Sequence, residues 1–131
     1  MANEINIQAV LTVARTGLSL QGSATKDVDQ AAGSNGAQNV QSIATTSAGT
    51  ALNIGGVTFP NNRGFLFVKN TDATNYVELS VGGGTQTAFD TSLFSKLFAG
   101  EVCLIPMRTS QTYYARANIS AVTLQVAAVA A

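Results

Sequence analysis

The fold the sequence predicts is all-β: a single-domain β-sandwich over residues 1–131, jelly-roll-like, with roughly eight or nine short strands. Two observations predict it. Apolar residues recur with a period of two in short runs along the chain, and each run is bounded within a few residues by Gly, Ser, Asn or Pro. A length of 131 residues suits one domain that buries about two-thirds of its unfolded surface.

At the start of the chain Ile5, Ile7, Ala9, Leu11 and Val13 alternate with Asn6, Gln8, Val10, Thr12 and Ala14, which predicts a strand with one better-buried face ending near residues 15–17. Residues 1–8 also read as an N-terminal arm able to add a strand to a neighbour. A second short run, 18–24, precedes TKDVDQAAGSNGAQ (25–38), where charges, Gly33, Gly36 and small polar residues break every periodicity and predict an exposed loop.

Strand signals return with NVQSIATT and TALNIG. FPNNRG (59–64) reads as a loop, because Pro60 fixes the backbone and Asn61 and Asn62 tolerate turn geometry. The next run, GFLFVKN, is apolar on both faces, with Phe65 and Phe67 on one and Leu66 and Val68 on the other, as expected of a central strand. NTDATN is too polar to bury, and Val77, Leu79 and Val81 resume the alternation, so 64–84 reads as a β-hairpin. After the glycine run 82–84, Phe89, Leu93, Phe94, Leu97 and Phe98 fit a short helix as well as a strand and loop, leaving both open for 90–98. EVCLIPM, TYYARA and AVTLQVAAVA supply three closing strands.

The chemistry-bearing residues are sparse. Histidine is absent, which removes the commonest general acid/base and a usual metal ligand, and no Ser-His-Asp or Cys-His arrangement can be built. The triple glycine lacks the GK[ST] continuation of a phosphate-binding loop. Glu78, Asp90 and Glu101 are the nearest thing to a glycosidase carboxylate pair, but they sit in no motif and no Trp is present to stack on a sugar. Asp27, Asp29 and Asp72 are the calcium candidates, although DVDQAAGSNG lacks the closing bidentate Glu of an EF-hand loop. Tyr76, Tyr113 and Tyr114 offer a stacking surface, with only Arg108 and Arg116 as basic company. An enzyme is not expected, nor is a cofactor or a metal.

Charge points the same way. Seven basic and seven acidic residues cancel, so no net field gathers nucleic acid or an anionic membrane, and little electrostatic repulsion opposes self-association. Charged residues are 11% of the chain against about 25% in a typical soluble domain, which leaves a largely neutral surface. Cys103, the only cysteine, lies in the apolar run EVCLIPM and reads as a buried small hydrophobe. MANEINIQAV shows no basic segment followed by an apolar block, and no apolar run nears the roughly 20 residues of a membrane helix, so synthesis and retention in a cytoplasm are expected.

Three landmarks occur in a recognisable order: KNTDATNYV at 69–77, LFAGE at 97–101 and YARANISAVTLQ at 114–125. With NVQSIATT ahead of them, the chain from Asn39 onward resembles a group of small virion structural proteins of tailed bacteriophages. The DVDQAAGSNG insertion and the triple glycine depart from that group's pattern. The resemblance implies a capsid decoration (cement) protein, a β-sandwich that binds the major capsid protein on the capsid exterior as a homotrimer and stabilises the shell, with no nucleic-acid or membrane partner. Ile5, Ile7, Tyr76, Tyr113, Tyr114, Val126 and Val129 are the expected capsid or subunit contacts, and the tail 126–131 is expected against a symmetry mate. The alternative is a tail-associated or capsid-displayed module that recognises a host glycan or surface protein through loops 25–38 and 61–64.

Overall fold

The computed structural model describes residues 4–15, 18–29, 35–59, 61–108 and 111–131. Their elements run β1 (Glu4–Arg15), β2 (Leu18–Asp29), β3 (Gly36–Ile43), β4 (Thr50–Ala51), β5 (Gly64–Asn70), β6 (Val77–Val81), α1 (Gln86–Thr91), β7 (Leu93–Leu97), β8 (Val102–Met107), β9 (Tyr113–Ala117) and β10 (Val122–Ala130).

Eight of the ten strands make two four-stranded antiparallel sheets. Sheet I has the order β3-β10-β5-β8 and sheet II the order β4-β9-β6-β7. Counted from β3, these are strands 1-8-3-6 and 2-7-4-5, so the chain changes sheet at almost every connection, which is jelly-roll connectivity. The other two strands form a separate antiparallel hairpin in continuous register from Glu4↔Asp29 to Arg15↔Leu18. The structure is therefore the all-β sandwich the alternation predicts, with a two-stranded ribbon added.

The core lies between the sheets, where the period-two faces meet. Leu66 and Val68 of β5 and Val122, Leu124 and Val126 of β10 face Val77 and Leu79 of β6 and Ala115 and Ala117 of β9, all buried. Ile43, Met107 and Tyr113 extend the same cluster. Burial alternates residue by residue along β5, β9 and β10, as the sequence pattern requires of strands with distinct inner and outer faces.

Several sequence expectations are corrected. The stretch 64–84 is not a hairpin: β5 pairs with β10 and β8 in sheet I, whereas β6 pairs with β7 and β9 in sheet II. The reason lies in β5 itself, which is central and bonded on both edges, so no edge is left for β6 and the chain must cross to the other sheet. The crossing is held by polar side chains. Asp72 Oδ1 accepts from the backbone N–H of Thr74 and Asn75, each at 2.8 Å, and Asn70 Oδ1 accepts from Asp72 N at 2.9 Å, an Asx-turn geometry.

The predicted arm and loop are also redrawn. Of the predicted arm 1–8, residues 1–3 lie outside the described ones, and residues 4–8 open β1, paired along its length with β2. Of the predicted loop 25–38, Thr25–Asp29 belongs to β2 and Gly36–Gln38 to β3, and residues 30–34 lie outside the described ones. In the open stretch 90–98 the helix comes first, as α1 with Thr85 at its N-cap accepting from Ala88 N, and Leu93–Leu97 is strand. Of residues 126–131, Val126–Ala130 end β10, a central strand, and Ala131 N donates to Arg63 O at 3.0 Å.

Candidate functional site

The two outer faces of the sandwich differ in chemistry, and the difference follows from strand register. On sheet II, Glu78 of β6 lies opposite Arg116 of β9 on one side and Lys96 of β7 on the other. Glu78 Oε2 accepts from Arg116 Nη2 at 2.7 Å and Nε at 3.1 Å, and Glu78 Oε1 pairs with Lys96 Nζ at 3.4 Å. Arg116 Nη1 pairs with Asp90 Oδ1 of α1 at 2.8 Å, while its guanidinium lies over the Phe89 ring, 4.4 Å from the centroid. Burial alone would lower the Arg116 pKa, but hydrogen bonds and charges from Glu78 and Asp90 outweigh it and hold the guanidinium above its ordinary value. This face carries a polar ladder bordered by a short helix, with Leu93 and Phe98 exposed on and beside β7.

Sheet I has an apolar outer face. Register sets Val129, Phe65 and Pro106 in one cross-strand row, Ala127, Phe67 and Leu104 in the next, and Val40, Gln125, Lys69 and Val102 in a third. Part of this face is covered from within the chain. The root of the hairpin brings Ile5 and Ile7 over Phe65, Phe67, Leu104 and Val129, leaving an apolar cleft of about 280 Å³ between ribbon and sheet. The rest is open to solvent, with Val40 70%, Val102 56% and Leu104 44% exposed. Val102 and Leu104 lie two residues apart on β8, and Gln125 and Lys69 separate them from Val40 on the opposite edge of the sheet.

The seven expected contact residues divide accordingly. Ile5, Ile7 and Val129 come together at the cleft. Val126 has the opposite parity on β10 and is wholly buried in the core, so it has no side chain to offer a partner. Tyr113 is likewise buried, its hydroxyl donating to Gln111 Oε1 at 3.0 Å, and burial raises its pKa despite the opposing charge of Arg108. Tyr76 stacks on Phe98 with ring centroids 5.7 Å apart, and Lys96 Nζ sits 4.1 Å from its ring centroid. Tyr114 is half-buried on the outer face of sheet II. The three tyrosines thus form no shared surface: Tyr113 and Tyr114 point to opposite faces of one strand, and Tyr76 adjoins the end of β6 remote from Tyr114's partner Ser80.

The carboxylates are used structurally. Glu78 and Asp90 serve the ladder, and Glu101 Oε2 accepts from Phe98 N at 2.8 Å within the LFAGE turn. Asp27 accepts from Asn6 Nδ2 on the hairpin, and Asp72 caps the β5–β6 crossing on another element. Among the described residues no group of three or more His, Cys, Asp or Glu side chains is placed to hold a metal ion. Among the same residues no helix is long and apolar enough to cross a membrane. Cys103 is half-buried against the core rather than fully buried, and desolvation raises its thiol pKa.

Sequence reasoning missed Val40, Val102, Leu104 and Leu11 as surface residues. The signal was present in EVCLIPM, which is apolar at both parities just as GFLFVKN is; two faces of apolar residues on neighbouring strands require an outer cover as well as a core. Comparison of the chain with protein-family models, with curated proteins and with solved structures gives no match.

Proposed function

We propose that this chain is a capsid decoration protein of a tailed bacteriophage, acting by adhesion: it binds the outside of the shell as a homotrimer and stabilises contacts between major capsid subunits. The observation that carries this reading is the asymmetry of the sandwich. One outer face carries the Lys96–Glu78–Arg116–Asp90 ladder, while the other carries Val102 on its β8 edge and Val40 on its β3 edge, both exposed, beside the apolar cleft at the root of the hairpin. Such a block suits a place between copies of itself and a shell, with the polar ladder turned to solvent. Small contacts per copy add through the many copies a shell carries.

The landmarks behind the resemblance support the reading at the level of the fold. Asn70 and Asn75 of the first, Leu97 and Gly100 of the second, and Asn118 and Ser120 of the third meet at one end of the sandwich: Asn70 Nδ2 donates to Leu97 O, Gly100 N to Asn70 O, Asn75 Nδ2 to Ser120 Oγ and Asn118 N to Tyr76 O. They are the joints where the chain crosses between sheets.

The test is co-sedimentation of the purified chain with capsids of its phage from which it has been omitted. Wild-type protein is expected to pellet with the shells in a saturable manner and to raise their resistance to heat or chelation. Protein that stays in the supernatant at all shell concentrations contradicts the proposal, and specific retention on host envelopes instead would favour a receptor-binding module.

A further inference from the structure

The edges of a sheet attract partners as its faces do, since an edge strand leaves every second N–H and C=O outside the ladder. Most edges in this chain are blunted. β3 is bordered by Asn53, whose N–H donates to Gln41 Oε1 at 3.0 Å and whose carbonyl accepts from Gln41 Nε2 and Asn39 Nδ2, each at 2.8 Å. β4 is two residues long, β7 carries Lys96 and a register shift against β6, and β8 is interrupted by Pro106. On the hairpin, β2 carries Lys26, Asp27 and Asp29. β1 is the exception. Over twelve residues it has β2 as its only bonded neighbour among the described residues, and between Glu4 and Arg15 it carries no charge, proline or glycine. Residues 8–12 are exposed, with Val10 at 60% on one ribbon face and Leu11 at 61% on the other. A two-stranded ribbon in water is marginal by itself.

We infer that the free edge of β1 pairs antiparallel with the same edge of a second copy of this chain, about a two-fold axis at Ala9. The second copy is indicated by the symmetry of β1 itself. A two-fold axis normal to the ribbon keeps each face on its own side, so positions of like parity meet across the new seam. Centred on Ala9, the axis sets Ile5 against Val13, Ile7 against Leu11 and Ala9 against itself on one face, and Asn6 against Thr12 and Gln8 against Val10 on the other. Aliphatic positions thus meet aliphatic ones along the whole of one face, and no two like charges are opposed. β2 offers no such match: centred on Ser23, the same operation sets Lys26 against Leu20 and Asp27 against Ser19. The seam turns two marginal ribbons into one four-stranded sheet, in the order β2-β1-β1-β2. A net charge of zero sets little repulsion against the approach of copies. The contact is made by a strand edge and does not depend on the proposed capsid role; within that role it joins neighbouring trimers arm to arm.

Because Ala9 meets its own counterpart, a charge at that one position tests the seam. In sedimentation velocity the wild-type full-length chain is expected to run as a dimer or a larger assembly. Ala9→Lys and Ala9→Glu each set like charges directly opposite one another, and each is expected to lose mass relative to wild type, with unchanged circular dichroism because position 9 is exposed. Mixed in equal amounts, the two are expected to regain the wild-type mass, the ammonium of one facing the carboxylate of the other. Ala24→Lys puts the same charge on the same ribbon face, opposite Ala9 on β2 and away from the seam. It is expected to leave the assembly intact, which separates a contact made by the edge of β1 from one made by the face of the ribbon. A monomeric wild type, an assembly that survives both Ala9 variants, a mixture of those variants that does not reassociate, or loss of assembly in Ala24→Lys would each overturn the inference.

Discussion

Asn70 Nδ2 donates to the carbonyl oxygen of Leu97 at 3.1 Å, joining the last residue of β5 in sheet I to the last residue of β7 in sheet II. The same amide donates to Asn75 O at 2.8 Å, its Oδ1 accepts from Asp72 N, and its backbone N–H reaches Glu101 O at 2.9 Å. A wholly buried side chain with every polar atom engaged is costly to truncate, because its former partners stay buried without replacement water. Asn70→Ala should lower stability by about 1–3 kcal/mol in chemical denaturation. Asn70→Asp should cost at least as much, since a carboxylate cannot donate to the two carbonyls.

Gly49 permits a second tight contact. It has φ 75°, and a Cβ there would lie 2.5 Å from the Phe89 ring carbons. Gly56 has a similar φ of 71° with nothing near its would-be Cβ, so it isolates the backbone contribution. Gly56→Ala should therefore cost about 1–2 kcal/mol, the left-handed penalty alone. Gly49→Ala should cost about 1–3 kcal/mol more, through displacement of Phe89. Equal losses in urea titrations would refute the role given to Phe89.

Parity on β10 makes a paired prediction at Val126 and Val129. Valine to threonine keeps the shape and adds a hydroxyl, so it reports whether a site is dry. Val126→Thr should lower stability by about 1–3 kcal/mol, because the new hydroxyl is buried in an apolar core. At the half-buried Val129 the same change should cost clearly less. The reverse order would place the wrong face of β10 in the core.

Asp72 links stability to pH. Hydrogen bonds from the backbone N–H of Asn75 and then Thr74 hold its carboxyl below the ordinary value of 3.8. A pKa depressed in the folded state means that the stabilisation is complete above the unfolded value and is lost as pH falls through the folded one. The stability difference between wild type and Asp72→Ala should be constant above about pH 5 and shrink steadily below about pH 4. A difference that persists unchanged into stronger acid would show that the ionised carboxylate is not what holds the turn.

The strands were legible because their signal is local. GFLFVKN, EVCLIPM, TYYARA and AVTLQVAAVA each carry the alternation that decides their inner face, and all four are strands in the structure. Which strands pair is a property of distant residues, and this is where the hairpin reading of 64–84 failed: nothing within those residues says that β10 and β8 occupy both edges of β5. The KDVD segment of β2 was hidden for a related reason. Lys26 and Asp27 look like loop residues until register sets Lys26 opposite Ile7 and Asp27 opposite Asn6 on an exposed ribbon that tolerates charge. The apolar residues on the outer face of sheet I needed one further step, recognising that Phe65, Phe67, Val102 and Leu104 lie on adjacent strands, which no single run reveals.

Cryo-electron microscopy of the virion assembled with this chain tests the proposed decoration role most directly. The predicted result is sandwich-shaped density on the capsid exterior, with the Lys96–Glu78–Arg116 ladder outermost and the outer face of sheet I covered. Absence of the chain from the capsid exterior, or its presence there with that apolar face bare to solvent, would contradict the account.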